Sequence, residues 1–244
     1  MILSPEEKAA NRAAFRAMNL GQKADYIFAY YKLPLVIALV VVVAFGSMMK
    51  WLVTHKDPAL YVAFANVVPS DDSDAVLTSD FVEHQGMSPR KYEVVCYREL
   101  YLSGDANQPD HQYAYASKLK LMAAADAEEL DVVLMNQEAY DLLSASGYLL
   151  DLRKACTGSH ALPTPIEKRL VSNIVVLSDN RVEVELGEAG EYVADTVEET
   201  NAFRINDISL FDDFPKDESL YLGIIANTPR LDEALAYATY LTKR

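Results

Sequence analysis

The chain has 244 residues, with 22 Lys/Arg against 36 Asp/Glu and a net charge of -14. The charge is uneven. Residues 1–56 hold seven bases (Lys8, Arg12, Arg16, Lys23, Lys32, Lys50, Lys56) against three acids (Glu6, Glu7, Asp25), so they carry +4 and the remainder -18. A body this acidic repels phosphate backbones, which excludes nucleic acid as an expected partner, and 51% hydrophobic content excludes disorder of the whole chain.

Residues 1–32 read as a cytoplasmic N-terminal helical segment. Ser4-Pro5-Glu6-Glu7 offers an N-cap, a proline at the first helical position and a capping-box glutamate. Gly21 is expected to break this helix before a second stretch, Lys23 to Lys32. Then comes LPLVIALVVVVAFGSMMKWLV, Leu33 to Val53. About 21 helical residues span about 31 Å, the thickness of a hydrocarbon core. Lys50 lies less than a turn from the end, where a lysine snorkels, and Trp51 sits at the same level. Tyr26, Phe28, Tyr30 and Tyr31 stand before the other end. A core helix rarely stays apolar all round for this length. Ala44-Phe45-Gly46 imitates a cleavage site, but 32 residues precede the run, so an uncleaved anchor is the reading. Five bases before the span and two at its far end place the N-terminus in the cytoplasm. A linker at 54–58 then leads to an extracytoplasmic domain over 59–244, in the cell membrane as a single-pass protein.

The domain alternates strands and helices. Leu60–Val68 reads as a strand, Pro69–Asp74 as a polar turn, Asp80–Gly86 as a helix and Tyr92–Tyr101 as a strand. Ser103–Gln112 reads as a loop. Helical spacing over Tyr113–Glu129 precedes a short apolar strand, Leu130–Met135, and a helix over Gln137–Ser146 stopped by Gly147. Asn173–Leu177 and Arg181–Leu186 alternate around Ser178-Asp179-Asn180, as a β-hairpin does. The acidic stretch Glu188–Ile208 carries no clear pattern. Leu220–Ala226 reads as a strand, and Thr228 caps a closing helix over Arg230–Thr242 with Pro229 at its first position. The order argues an α/β domain with a parallel-rich sheet and helices on its faces.

Cys96 and Cys156 could form a disulfide outside the cytoplasm, although Cys96 lies in the apolar run YEVVCY, where buried free thiols are common. No nucleophile elbow, phosphate loop or zinc-protease motif occurs. His55, His84, His111 and His160 are scattered, so no metal site is expected, and no cofactor. Asp71-Asp72-Ser73-Asp74 lacks the glycine and distal glutamate of a calcium loop. No catalytic constellation is found, and no enzyme activity is expected.

LMAAADAEELDVVLMNQEAYDLLSASGYLLDL (Leu121–Leu152) resembles the stretch of extracellular solute-binding proteins where a helix leads to a strand and a helix ending G-x-L-x-D-L. SLYLGIIANTPRLDEALAYATYL (Ser219–Leu241) resembles the later strand and helix of the same fold. The chain is also similar to single-pass membrane proteins of Gram-positive bacteria, of unassigned function, with a Tyr-Tyr-Lys step before the anchor. The resemblance implies a periplasmic-binding-protein-like mixed sheet with flanking helices. Only about 66 residues separate Leu152 from Ser219, too few for a second lobe, so one lobe is expected. In such sheets ligands bind beyond the carboxyl ends of the parallel strands. That nominates Asn66, Ser70 and Asp71 after the first strand, Asn136 and Glu138 after the third, and Asn227 and Thr228 after the last. The same residue types also serve as ordinary turns and caps. The expected function is a membrane-anchored extracytoplasmic binding or interaction module for a small ligand or an envelope protein. The alternative is a structural or assembly subunit of a cell-envelope complex.

Overall fold

The computed structural model describes residues 14–104, 110–157, 162, 164–187, 190–205, 210–212, 214–215 and 218–242, with the backbone alone at 24–32, 35, 52–54, 164–165 and 212. The expected start at Ser4–Glu7 and His160 lie outside these residues. The chain divides into two compact units, Met1–His55 and Lys56–Arg244.

In the first unit residues 14–17 are helical, and a new helix, α1, runs Leu20–Thr54 over 35 residues, about 52 Å of axis. The break therefore falls at Asn19 and not at Gly21. The Asn19 side chain accepts from the Gln22 backbone N–H at 2.9 Å, and the Gln22 side chain accepts from the Asn19 N–H at 3.2 Å. This reciprocal pair closes the first turn, and Gly21 sits inside it. The span Leu33–Val53 lies wholly within α1, as does Pro34. Its large apolar side chains among the described residues, from Leu33 through Val40 and Phe45 to Trp51, are exposed. Among the described residues, no helix is long and apolar enough to cross a membrane.

The second unit is a mixed α/β domain. Its strands are β1 (Asp57–Ala65), β2 (Val68–Pro69), β3 (Tyr92–Leu100), β4 (Val132–Met135), β5 (Leu170–Asp179), β6 (Ala194–Ile205), β7 (Phe211–Asp212) and β8 (Leu220–Ile224). Its helices are α2 (Asp74–Leu77), α3 (Ser79–His84), α4 (His111–Asp126), α5 (Gln137–Ala145), α6 (Leu152–Ala155), α7 (Thr164–Glu167), α8 (Arg181–Glu185) and α9 (Leu231–Thr242). Six strands form one sheet in the order β3-β1-β4-β8-β6-β5, and β2 pairs with β7 separately. β3, β1 and β4 are parallel, whereas β8, β6 and β5 are joined antiparallel. The sheet is thus half parallel rather than parallel-rich.

Alternation assigns each strand two faces. Leu60, Val62, Phe64, Leu134, Phe203 and Leu222 join a core with Leu77 and Phe81 of α2 and α3 and with Tyr237 and Leu241 of α9. Ala63, Ala65, Val133, Met135, Ala202 and Tyr221 join another core with Leu121 and Ala125 of α4 and with Tyr140 and Leu143 of α5. Helices therefore flank both faces. Gly147, at φ 72°, ends the run after α5 as expected. Gly223 fits a close approach: a Cβ there would stand 2.7 Å from Leu149 Cδ2 and 2.9 Å from Met135 Cε.

The expected hairpin of 173–177 with 181–186 is not formed. Arg181–Glu185 is the short helix α8, and β5 pairs instead with β6, from Leu170↔Phe203 to Asp179↔Ala194. The alternation of Val182, Val184 and Leu186 serves no sheet face, and α8 buries no residue. The acidic stretch read without pattern supplies β6. Its first half, Ala194–Glu199, is largely exposed and its second half is largely buried. Between Leu152 and Ser219, β5 and β6 extend the same sheet. The last helix starts at Leu231, beyond Thr228 and Pro229. Cys96 and Cys156 are both free.

Candidate functional site

β1, β3 and β4 end along one edge of the sheet, at Ala65, Leu100 and Met135. Register extends that edge into the antiparallel half: Met135 pairs with Tyr221, Tyr221 with Arg204, and Phe203 with Leu170. The carboxyl ends of the parallel strands therefore share an edge with the end of β6 and the beginning of β5.

Asn66, Ser70, Asp71, Asn136 and Glu138 lie at this edge. Asn66 follows β1 with φ 59°, a left-handed conformation that Asn tolerates. Its Oδ1 accepts from the Leu102 N–H at 2.6 Å, and its Nδ2 donates to Leu102 O at 2.7 Å and to Asn136 Oδ1 at 3.2 Å. The amide thus imitates a strand partner for the chain leaving β3. Asn136 caps α5, accepting from the Ala139 N–H at 3.1 Å. The Ser70 N–H donates to Leu210 O at 3.0 Å, and its carbonyl accepts from Ser73. Glu138 accepts from the Gly104 N–H at 3.4 Å. These groups position the edge, and their hydrogen-bonding capacity goes largely to the protein itself.

Asn227 and Thr228 are not at this edge. β8 runs antiparallel to β4, so its end returns to where the parallel strands begin. There Asp131, fully buried, accepts from the Tyr61 N–H at 2.8 Å, from Thr228 Oγ1 at 2.6 Å and from Arg230 Nε at 2.8 Å. The Arg230 guanidinium also stands 4.8 Å from the centroid of the Tyr61 ring. Asn227 donates to Ala125 O at 2.8 Å. Thr228 accepts from the Arg230 N–H at 3.0 Å, closing a turn rather than capping the helix. This cluster ties β1, β4 and the β8–α9 connection together.

Several clefts open on the domain among the described residues. One of about 160 Å³ lies between α4 and α5, lined by Leu102, Ser103, His111, Lys118, Leu142 and Tyr148 among others. Another, of about 270 Å³, borders Cys96, Arg98 and Asp74 beside β3. Burial there pushes the Cys96 thiol up to about 11, only partly opposed by Arg98. A further cleft, also about 270 Å³, is lined by Lys168, Arg169, Leu170, Val171 and Arg204. The backbone brings its cations together, since the Arg204 N–H donates to Arg169 O at 2.8 Å.

A buried polar chain stiffens the same half of the sheet. Tyr140 Oη donates to Asn201 Oδ1 at 2.8 Å, Asn201 Nδ2 to Ser144 Oγ at 2.8 Å, and Ser144 Oγ to Ile174 O at 2.9 Å. Burial raises the Tyr140 hydroxyl well beyond its ordinary range, so it stays a donor. Sequence reasoning missed Asp131, Asn201 and the three cations. The Lys168-Arg169 pair within an acidic domain was the available signal. Among the described residues, no group of three or more His, Cys, Asp or Glu could hold a metal ion. No family model, curated protein or solved structure matches the chain.

Proposed function

We propose that the protein is a membrane-anchored binding or interaction module, with α1 as the single membrane helix and the α/β domain presented outside the cytoplasm. The observation that carries this reading is the contrast between the units. The apolar side chains described from Leu33 to Trp51 are exposed on α1, while the α/β unit closes its own cores on both sheet faces. A long helix exposing Leu, Val and Phe is stable when lipid covers it. The seven bases of residues 1–56, five of them before the span, favour a cytoplasmic N-terminus.

The likeness to one lobe of a solute-binding protein is supported by the parallel triplet β3-β1-β4 with helices on both faces. The clefts at its carboxyl edge, lined by Leu102, Lys118 and Leu142 in one and by Lys168, Arg169 and Arg204 in another, support a binding role. The test is membrane fractionation of the full chain with an alkaline carbonate wash, followed by protease treatment of intact cells. The expected result is a wash-resistant protein whose α/β domain is cut from outside. Release by carbonate, or a domain cut only after lysis, would overturn it.

A second reading, an assembly subunit of an envelope complex, is favoured by the far end of the β5–β6 ladder. There Ile174, Leu177, Val182, Leu186 and Val193 are all exposed. Crosslinking in membranes that recovers only the monomer would reject this reading.

A further inference from the structure

We propose that the cleft lined by Lys168, Arg169 and Arg204 binds a small oxyanion, a phosphate or carboxylate group. The inference rests on the reading of the domain as a binding module and names the ligand chemistry of its edge.

Arg204 stands near the end of β6, whereas Lys168 and Arg169 precede β5. The pairing Leu170↔Phe203 and the bond from the Arg204 N–H to Arg169 O bring the three cations to one cleft of about 270 Å³. They repel one another there, and an anion between them relieves that repulsion.

Several cations elsewhere in the domain are matched. Arg230 meets Asp131 at 2.8 Å, Lys154 meets Asp151 at 2.8 Å and Glu199 at 2.9 Å, Arg181 meets Asp179 at 3.8 Å, and Arg98 meets Asp74. Lys120 lies over the Tyr97 ring. Among the described residues, Lys168, Arg169 and Arg204 make no ion pair. In residues 57–244, where acids outnumber bases by 18, a cleft whose described lining holds three cations and no carboxylate runs against the average composition.

The cleft lies at the end of β6 and the start of β5, on the same sheet edge as the carboxyl ends of the parallel strands. Leu170 and Val171, both half-buried, give it an apolar wall beside the charges. Two guanidinium forks and an ammonium match the oxygens of a phosphate or a carboxylate. The volume admits a small molecule, and the acidic surroundings repel an extended polyanion. A free solute and a phospholipid headgroup share this chemistry, so the test separates them.

The test titrates the full chain in neutral detergent with inorganic phosphate, pyrophosphate and citrate at constant ionic strength, followed by calorimetry. At least one of the three is expected to bind saturably. Arg169→Gln and Arg204→Gln should each weaken binding by about tenfold or more. Arg204→Lys should fall between wild type and Arg204→Gln, because it keeps the charge and loses the fork. Lys118→Gln, in the α4–α5 cleft, should change nothing. Flotation of proteoliposomes is unsuited to an anchored chain, so the lipid arm compares nanodiscs of phosphatidylglycerol with nanodiscs of phosphatidylcholine. Pyrophosphate affinity reduced only by phosphatidylglycerol identifies a headgroup as the occupant, and equal affinity identifies a free solute. No saturable binding of any probe overturns the proposal. So does unchanged affinity in both glutamine variants, each shown to be folded by circular dichroism. Failure here with a carbonate-resistant, externally cleaved chain removes the anion site alone. Release of the chain by carbonate removes the anchored reading and leaves the titration standing.

Discussion

The two halves of the sheet treat one edge differently. In the parallel half, Asn66 and Asn136 sit at the carboxyl ends of β1 and β4, and their amides bind Leu102, Ala139 and each other. In the antiparallel half, Lys168, Arg169 and Arg204 line an open cleft. The amides of Asn66 and Asn136 are consumed by closing turns, while the three cations line the cleft. Residue type alone therefore says little about binding. What separates the halves is whether a loop's own backbone uses the polar atoms.

The comparison is broken most severely at the opposite edge, where Asp131 joins the halves. Asp131→Ala would leave Arg230 without its 2.8 Å partner and the Tyr61 N–H without an acceptor. Removing one member of a buried pair costs about 3–5 kcal/mol. Urea denaturation of the variant should show a loss of that size. A loss below about 1 kcal/mol, the scale of a surface pair, would show that the cluster does not join the halves.

Asn66→Ala tests the parallel half directly. The variant loses both bonds to Leu102 and forces alanine into φ 59°, at a cost of about 2–3 kcal/mol. Asn66→Gly restores the backbone freedom without the bonds, so it should recover part of that loss. If the two variants are equally destabilised, the amide bonds alone hold the turn. Arg204→Gln, at the same edge of the other half, is expected to change stability by less than about 0.5 kcal/mol.

How much of this was legible in sequence follows the same division. The parallel half could be read because β1 and β4 are short apolar runs buried on both faces and bounded by turn residues. The antiparallel half hid itself. β6 begins with the exposed Asp195 and Glu198 and the half-buried Glu199, which break the apolar pattern of a strand. The run Val182–Leu186 alternates without a sheet to alternate against, and local helical hydrogen bonds close it into α8 instead. Asn227 and Thr228 were placed at the wrong edge because hydropathy does not encode the direction of β8. Lys168 and Arg204 are remote in sequence, and only the long β5–β6 register brings them together.

Thiol chemistry sharpens the comparison from the outer strand of the parallel half. Burial raises Cys96 to about 11 from an ordinary 9.0, so its thiolate at neutral pH is on the order of a hundredfold scarcer than that of a free cysteine. Burial also raises Cys156, beyond α6, with no opposing cation. Alkylation by iodoacetamide near pH 8 should be slow at Cys96 and should accelerate as pH rises toward 11. A Cys96 that reacts as fast as free cysteine would mean that β3 opens readily and that the parallel half is the looser one.

The smallest effect is expected at the far end of the antiparallel half. Among the described residues, β6 beyond its pairing with β8 at Ala202–Ile205 has β5 as its one strand neighbour, and Leu177 on β5 is 63% exposed. Leu177→Ser removes little buried area, so stability should change by less than about 0.5 kcal/mol. The substitution nonetheless reduces an exposed apolar surface that includes Ile174, Val182, Leu186 and Val193. If that surface meets another protein in the membrane, crosslinked complexes should decline in Leu177→Ser while the denaturation midpoint stays put. A parallel fall in both would show that Leu177 holds the β5–β6 ladder together rather than a partner. Unchanged crosslinking with unchanged stability would assign the apolar tip no role in assembly, leaving the carboxyl edge as the domain's binding surface.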